Sequence, residues 1–252
     1  MTQTLKAQTF AALHVKGKPI VFANVWDAGS AKAMATLGAK AIATASWAVA
    51  DAHGSADGEN LDPRLVIENA KRICDCVDLP VSVDIESGYG EAACDVGAFA
   101  GQIMDTGAIG CNLEDSFPQD HSLRKIDDAA QRIAAIRDMA NTKCLPFFIN
   151  ARADVFFAPE GTFTKATAID EVVKRAAAYK DAGASGLFVP RLIDHQIIKT
   201  IIEQIELPLN ILLNDGLDKI PEYAELGVAR ISMGPNSYRN ALASLEKYRN
   251  LL

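Results

Sequence analysis

The sequence predicts a (β/α)8 barrel, or TIM barrel, formed by a single domain over residues 1–252 and preceded by an N-terminal helix. A length of 252 residues is close to what one such barrel requires. Short apolar runs recur about every 30 residues, and segments with the apolar spacing of helices lie between them. Eight repeats of strand and helix are typical of parallel strands that close into a barrel.

The predicted strands are short and apolar without alternation, as expected of parallel strands that are buried on both faces. Three of these runs begin at a Leu-Pro pair, where a proline at the first position removes no hydrogen bond from a sheet. The eight predicted strands are Ile20–Trp26, Ala41–Ala45, Val81–Ile85, Gly110–Leu113, Phe147–Ala151, Leu187–Val189, Leu209–Leu213 and Ala229–Met233.

The predicted helices fill the intervals between the strands. Ser30 is expected to cap the helix that follows the first strand, and Asp62 followed by Pro63 is a typical helix start. Several helices end just before a glycine, which adopts the left-handed conformation found after helix ends. The predicted helices are Gln3–Val15, which should cover the N-terminal end of the barrel, Ser30–Leu37, Asp62–Val77, Asp95–Thr106, Asp127–Ala140, Ile169–Ala182, Asp194–Ile205, Ile220–Leu226 and Ser237–Leu251.

An open, doubly wound sheet is the alternative to a barrel, because it also alternates strands and helices. A dinucleotide-binding sheet of that kind carries a Gly-x-Gly-x-x-Gly turn after its first strand. No such turn follows the first predicted strand here. The sequence therefore favours the closed barrel.

The composition narrows the classes of partner. A formal net charge of −7 argues against a nucleic-acid partner, because phosphate backbones select basic surfaces. No stretch approaches the ~18 consecutive apolar residues of a membrane span, and the N-terminus lacks the apolar core of a signal peptide. We therefore expect no membrane partner and a cytoplasmic location. The five cysteines are an odd number in periodic segments, so we expect them to be reduced and mostly buried.

Acidic residues follow two neighbouring strands at their carboxyl ends, where barrels of this kind place their active sites. Asp84 and Glu86 are two residues apart, so we expect both side chains on one face of strand three. Glu114 stands at the matching position of strand four. Converging carboxylates repel each other unless a cation intervenes, and oxygen ligands suit Mg²⁺ or Mn²⁺. The alternative is that each carboxylate pairs with an arginine or lysine in a structural network.

Arg152 follows Asn150 on strand five and also leaves an apolar run for the mouth of the barrel. A guanidinium that faces a metal is well suited to bind a carboxylate or phosphate through two parallel hydrogen bonds. The alternative is a structural salt bridge with Asp154 or Glu114, and both roles are compatible.

The four histidines give little support for nucleophilic or metal chemistry. His14 lies in the leading helix and His195 begins a later helix, so both are expected at the surface. His53 and His121 lie in the loops after strands two and four, where contact with a substrate is open to them.

At these positions the sequence resembles the isocitrate lyase / phosphoenolpyruvate mutase superfamily. The resemblance runs from Ile20 to Pro235. Residues 80–90 read Pro-Val-Ser-Val-Asp-Ile-Glu-Ser-Gly-Tyr-Gly and are similar to the superfamily's Asp-x-Asp-x-Gly-Tyr/Phe-Gly motif on strand three. Residues 110–115, Gly-Cys-Asn-Leu-Glu-Asp, are similar to its Glu-Asp pair on strand four.

The resemblance implies roles for individual residues. Asp84 would ligate Mg²⁺, and Glu86, Glu114 and Asp57 would hold its water ligands. Ser46, with the backbone at Trp47 and Ala48, would bind the substrate carboxylate, which Arg152 would also stabilise. The complete prediction assigns catalysis to Arg152, Glu114 and Asp57, metal binding to Asp84, Glu86 and Glu114, and substrate binding to Trp26, Ser46, Trp47, Ala48, Asp84, Asn150, Arg152 and Asn210.

The resemblance implies an Mg²⁺-dependent (or Mn²⁺-dependent) lyase or hydrolase that acts on a small 2-oxo or 2-hydroxy carboxylic acid. It would cleave a C–C bond, or else a C–P bond, through a metal-stabilised enolate, in a homo-oligomer (a dimer or tetramer). Trp47 stands where many members carry glycine, which favours a small acid. Residues 115–122 lack the cysteine that serves lyases of the superfamily as a catalytic acid. The alternative is therefore a 2-oxo-acid-binding or regulatory homologue that retains the metal site.

Overall fold

A computed structural model of the chain describes residues 1–213 and 216–251, which contain eight parallel strands in one sheet. The strands are adjacent in the order β1-β8-β7-β6-β5-β4-β3-β2, as in a barrel whose ends meet. They are β1 (Ile20–Phe22), β2 (Ile42–Ala43), β3 (Val81–Asp84), β4 (Gly110–Glu114), β5 (Phe148–Arg152), β6 (Gly186–Val189), β7 (Leu209–Leu212) and β8 (Arg230–Ser232).

The barrel closes between the first, second and eighth strands. β1 pairs with β8, with Ile20 opposite Arg230. Asn24 lies two residues beyond the end of β1, and its side chain makes hydrogen bonds to Thr44, just after β2, and to Met233, just after β8. Val25 also forms a parallel bridge to Thr44. The predicted (β/α)8 barrel with an N-terminal helix is confirmed. The predicted first strand was too long, because this part of the chain makes single bridges instead of a continuous ladder.

Helices alternate with the strands around the outside of the barrel. No helix in residues 1–213 and 216–251 is long and apolar enough to cross a membrane. The α-helices are α1 (Gln3–Ala12), α2 (Ala28–Thr36), α3 (Ser46–Ala52), α4 (Pro63–Cys76), α5 (Ala93–Asp105), α6 (Ile126–Thr142), α7 (Lys165–Asp181), α8 (His195–Gln204), α9 (Ile220–Glu225) and α10 (Asn236–Ala243), and a 3-10 helix follows over Ser244–Leu251.

Local capping explains where the predicted helix bounds were wrong. Asp27, and not Ser30, caps α2, because the Asp27 carboxylate accepts from the Ser30 backbone N–H at 2.7 Å and the Ser30 hydroxyl accepts from the Asp27 N–H. Thr164 caps α7 and starts it four residues before the predicted Ile169. The last predicted helix changes to a 3-10 helix at Ser244.

The N-terminal end of the barrel is covered by α1, as predicted. Phe10 is fully buried and meets the ring of Phe148 edge-on, with 5.3 Å between the ring centroids. His14 stacks on the same ring at 4.2 Å. The prediction that His14 lies at the surface was therefore wrong: it follows α1 on the side that faces the barrel.

The five cysteines are free, as expected, but only Cys111 is fully buried. Cys94 and Cys144 are exposed on helix ends, and the other two are partly covered. The expectation of mostly buried cysteines was wrong, because most of these residues occupy the outer helical layer and not the strands.

Candidate functional site

A cavity of about 340 Å³ opens at the carboxyl ends of the strands. Six of the residues predicted for the site line it, from five different segments of the chain. They are Ser46, Trp47, Asp57, Asp84, Glu114 and Arg152.

Asp84 ends β3 and presents its carboxylate to the cavity. Its Oδ2 accepts weakly from the Ser46 backbone N–H at 3.4 Å, and its Oδ1 accepts from the Glu86 N–H at 3.2 Å. Burial raises the pKa of this carboxyl, the nearby Arg152 opposes that rise, and Asp57 adds to it. Asp84 is thus a buried acid that no cationic side chain contacts directly among the described residues.

Arg152 ends β5 and is held by two carboxylates. Its Nη1 donates to Glu114 Oε1 across the β4–β5 pair, and its Nε donates to Asp154 Oδ1 at 2.6 Å. Burial alone would lower the pKa of Arg152, but Asp154 and Glu114 raise it, so the guanidinium stays charged. The predicted structural ion pairs are therefore present, and Arg152 still lines the cavity.

The segment after β2 positions two further groups. The sequence predicted a long loop here, but the alanine-rich stretch from Ser46 to Ala52 forms helix α3, as expected of good helix formers. Its first turn directs the Ser46 N–H towards Asp84. Asp57 lies in the loop after α3 and also lines the cavity. Burial raises the pKa of its carboxyl, and the charge of Arg152 partly opposes that rise.

Glu86 does not share the cavity with Asp84. β3 ends at Asp84, and Glu86 adopts a left-handed backbone with φ +50°, so strand alternation no longer places the two side chains on one face. Its carboxylate accepts from the backbone N–H groups of Gly58 and Glu59 at 2.8 and 2.6 Å and from the Tyr89 hydroxyl at 2.5 Å. Burial raises the pKa of Glu86 to about 7.

Four other residues predicted to bind substrate do not line the cavity. Trp26 packs edge-on against Tyr238, and Ala48 is buried in the same cluster. Asn150 lies inside the barrel, where its amide donates to Asn112 at 2.8 Å. Asn210 likewise bonds Ser232 at 3.2 Å. Asn112 and Ser232 themselves line the cavity, so the two predicted asparagines support its floor.

Three titratable lining residues were missed as site residues. His121 lies in the loop after β4 and had only been noted as a candidate for substrate contact. Arg191 is the second residue after β6, a position near the mouth of the barrel. Arg239 lies on α10 and had no sequence signal, because nothing in a helix pattern indicates which turn reaches over the barrel.

The donor set suits a hard divalent cation. Among the described residues, no three histidine, cysteine or acidic side chains are grouped as a metal site. Mg²⁺ does not require such a group, because it commonly binds one or two carboxylates and keeps several waters. Asp84, Asp57 and Glu114 all present oxygen ligands to one cavity. A small pocket that Asp84 and Glu86 line together has room for about one water molecule.

Comparison with known proteins places these residues in a family. A family model described as phosphoenolpyruvate phosphomutase matches residues 10–251. The uncharacterized protein Rv1998c of Mycobacterium tuberculosis is 35% identical over 235 residues, which cover 93% of this chain and 84% of that one. The oxaloacetate decarboxylase of Pseudomonas fluorescens is 26% identical, over 93% of this chain and 80% of that protein.

Solved structures agree with this assignment. A Burkholderia cenocepacia protein, provisionally assigned as a phosphonomutase, has a TM-score of 0.93 and 46% identity, covering 97% of this chain and 99% of that one. A phosphonopyruvate hydrolase, solved with oxalate and Mg²⁺, shares the fold with a TM-score of 0.84 and 21% identity, covering 99% and 86%. As the resemblance predicted, the chain belongs to the phosphoenolpyruvate phosphomutase family, within the enzyme superfamily of phosphoenolpyruvate mutases and isocitrate lyases.

Proposed function

We propose that the protein is an Mg²⁺-dependent lyase or hydrolase that cleaves a C–C bond, or else a C–P bond, of a small 2-oxo or 2-hydroxy acid. The observation that carries the proposal is the cavity that Asp84, Glu114, Asp57 and Arg152 line together. Superfamily members include lyases, mutases and hydrolases of small oxo acids.

Asp84 is the residue best placed to hold the cation directly, because its carboxylate faces the cavity without an arginine or lysine contact. Glu114 and Asp57 would hold water ligands, and Glu86 would act through the small pocket that it shares with Asp84. The oxalate and Mg²⁺ of the phosphonopyruvate hydrolase support this choice of cofactor. A bound Mg²⁺ would supply an electrophile that stabilises negative charge developing on a 2-oxo group.

Side chains of the cavity would bind the substrate and supply the proton. Arg152 is held rigid by two carboxylates, so its remaining N–H edge can meet an anionic oxygen without ordering first. Ser46, at the start of α3, lines the same cavity, where its hydroxyl would bind the same carboxylate. His121 lines the cavity, and an imidazole is well suited to donate a proton at neutral pH. These three groups would bind the acid, stabilise its enolate and return a proton to it.

The test is turnover of oxaloacetate, methylisocitrate and phosphonopyruvate with Mg²⁺, by wild type and by Asp84→Asn. We expect wild type to turn over one of the three. The variant should lose that activity and bind Mg²⁺ at least about tenfold more weakly in calorimetric titration, with its fold intact. Unchanged Mg²⁺ affinity in Asp84→Asn would contradict the assigned cofactor site.

The same experiment separates the enzyme from a binding or regulatory homologue. Such a homologue would bind Mg²⁺ and oxalate and turn over none of the three substrates. His121 in the cavity favours the enzyme, because it offers a proton donor in place of the missing cysteine. A cytoplasmic location and a dimeric or tetrameric state stay predictions.

A further inference from the structure

The interior of the barrel below the cavity contains a polar cluster, although such interiors are usually filled by branched apolar side chains. Asn112 on β4, Asn150 on β5 and Arg230 on β8 are almost fully buried there. Asn112 Oδ1 accepts from Asn150 Nδ2 at 2.8 Å and from Arg230 Nη2 at 3.4 Å. The oxygen of the Asn112 amide is therefore held by donors from two other strands.

The chemistry of Arg230 decides which way the Asn112 amide faces. A guanidinium has donors only, so Asn112 must turn its oxygen towards Arg230. Burial lowers the pKa of Arg230 to about 9, and the charge of Asp84 opposes that fall, so the guanidinium is still charged at neutral pH. The Asn112 N–H2 then lies on the opposite side of the amide. Within residues 1–213 and 216–251 it has no hydrogen-bond partner, and Asn112 lines the cavity, so this donor is open to a ligand.

The same arrangement leaves other buried atoms without partners. Arg230 Nη1 and Asn150 Oδ1 are buried and make no hydrogen bond among the described residues. In that part of the chain no carboxylate pairs with Arg230, whereas Arg152 bonds two. Unpaired buried polar groups cost free energy, so a cluster that served stability alone would be expected to satisfy them. What the cluster achieves instead is a fixed orientation of the Asn112 amide.

Asn112 lies beside the proposed cation site. It is the register partner of Asp84 on the neighbouring strand, and Glu114 follows it on the same face of β4. We propose that Asn112 is a substrate-binding residue whose N–H2 donates to an oxygen of the bound 2-oxo acid next to Asp84, and that Arg230 is a positioning residue that holds this amide from inside the barrel. This inference rests on the proposed function and adds two residues to its site.

The first test is calorimetric titration of Asn112 variants, with Mg²⁺ alone and then with oxalate on the Mg²⁺-loaded protein. Asn112→Ala removes the donor. Asn112→Asp replaces it by an acceptor and gives Arg230 a carboxylate to bond, so this variant should stay folded even where Asn112→Ala does not. The matched control is Asn141→Asp, which adds the same charge at an exposed position of α6. Melting temperatures show which variants are folded.

We expect both Asn112 variants to bind oxalate at least about tenfold more weakly than wild type, because a hydrogen bond to an anionic oxygen is lost. The affinity for Mg²⁺ should not fall in either variant, because Asn112 does not hold the cation. The control should match wild type for both ligands.

The second test addresses Arg230. Arg230→Met removes the donors from inside the barrel and leaves the Asn112 amide free to turn over, so oxalate affinity should fall by about threefold or more. Arg230→Lys can still donate to Asn112 and should restore most of that affinity. The control is Arg137→Met, because Arg137 donates to the backbone carbonyls of Phe147 and Gly183 at the other end of the barrel. It should bind oxalate like wild type even if it melts earlier.

Wild-type oxalate affinity in a folded Asn112 variant would overturn the inference alone. Wild-type oxalate affinity in Arg230→Met, or an equal loss in Arg230→Lys, would remove the positioning role of Arg230. Failure of wild type to bind oxalate in the presence of Mg²⁺ would instead overturn the proposed function, and this inference with it.

Discussion

Two adjacent carboxylates at the end of β4 have opposite surroundings. Glu114 lines the cavity, and among residues 1–213 and 216–251 its carboxylate accepts a hydrogen bond from Arg152 alone. Asp115 points away from the cavity, and its oxygens accept from Arg175 Nη1 at 2.8 Å, from the Tyr179 hydroxyl at 2.6 Å and from the Asp154 N–H at 2.8 Å. Successive residues of a strand face opposite sides, so one Glu-Asp pair serves both the cavity and the contact with α7.

The difference teaches how to separate acids that hold the fold from acids that face a ligand. Burial raises the pKa of both carboxyls, and an arginine opposes the rise in each case. What differs is the number of hydrogen-bond donors: within the described residues the Asp115 carboxylate has three donors from two segments, α7 and the residues after β5, whereas the Glu114 carboxylate has one donor, Arg152, which it shares with Asp154. An acid saturated by protein donors contributes to stability, and an acid short of donors is available to a ligand or cation.

Disrupting the hydrogen bonds of Asp115 with Arg175 and Tyr179 should have the largest effect on stability. Asp115→Asn removes the more deeply buried of the two carboxylates that pair with Arg175 and leaves the guanidinium with the partly exposed Glu171. We expect the free energy of unfolding to fall by about 3–5 kcal/mol. Urea denaturation at neutral pH measures the loss. The control is Asp75→Asn, because Asp75 pairs with Lys71 on an exposed helix face, where the change should be about 0.5 kcal/mol. Similar values for the two variants would contradict the comparison.

Arg152→Lys tests the unsaturated side. Lysine keeps the charge but cannot bond two carboxylates and an anion with one planar fork. We expect oxalate affinity in the presence of Mg²⁺, or kcat/KM, to fall by about 2–4 kcal/mol. The free energy of unfolding should fall by less, about 1 kcal/mol. A variant that melts much earlier and binds oxalate normally would remove Arg152 from the site.

His14 extends the comparison to a buried group with no counter-charge. Burial, and then the charge of Arg230, lowers the pKa of His14 from 6.5 to about 3. The folded state therefore excludes a proton that the unfolded chain takes up below pH 6.5, so stability is lost as the pH falls. His14→Phe keeps the ring stacked on Phe148 and removes this loss.

The measurement is the free energy of unfolding of wild type and His14→Phe at several pH values. The difference between them should shift in favour of the variant by about 2 kcal/mol from pH 7.5 to pH 5. Parallel pH profiles for the two proteins would show that His14 takes up a proton in the folded state.

The fold was predictable because its signals are local and repeated. Eight apolar runs separated by helical spacing define a barrel even when single bounds are wrong by a few residues, as at the start of α7. The carboxyl ends of the strands then identify Asp84, Glu114 and Arg152 as neighbours, because parallel strands in register bring their ends together. This part of the site follows from topology alone.

The rest of the site depended on features that a sequence pattern does not carry. Glu86 left the shared face because β3 ended one residue earlier than predicted and the backbone turned left-handed. Asn150 faces the interior as expected, but its amide is taken by Asn112 beneath the cavity. Arg239 reaches the cavity from a helix, and only the packing of α10 over the barrel decides which turn does so.

Asn24 joins parts of the chain that are made at very different times. Its Oδ1 accepts from the backbone N–H groups of Met233 and Gly234, 209 and 210 residues later in the sequence, and its amide donates to Thr44. During synthesis the first seven strands therefore emerge before the barrel can close, because the ladder that β1 forms with β8 needs the last strand. An unpaired sheet edge is a template for aggregation, so we expect a chain that lacks its last strand to aggregate more readily than the complete barrel.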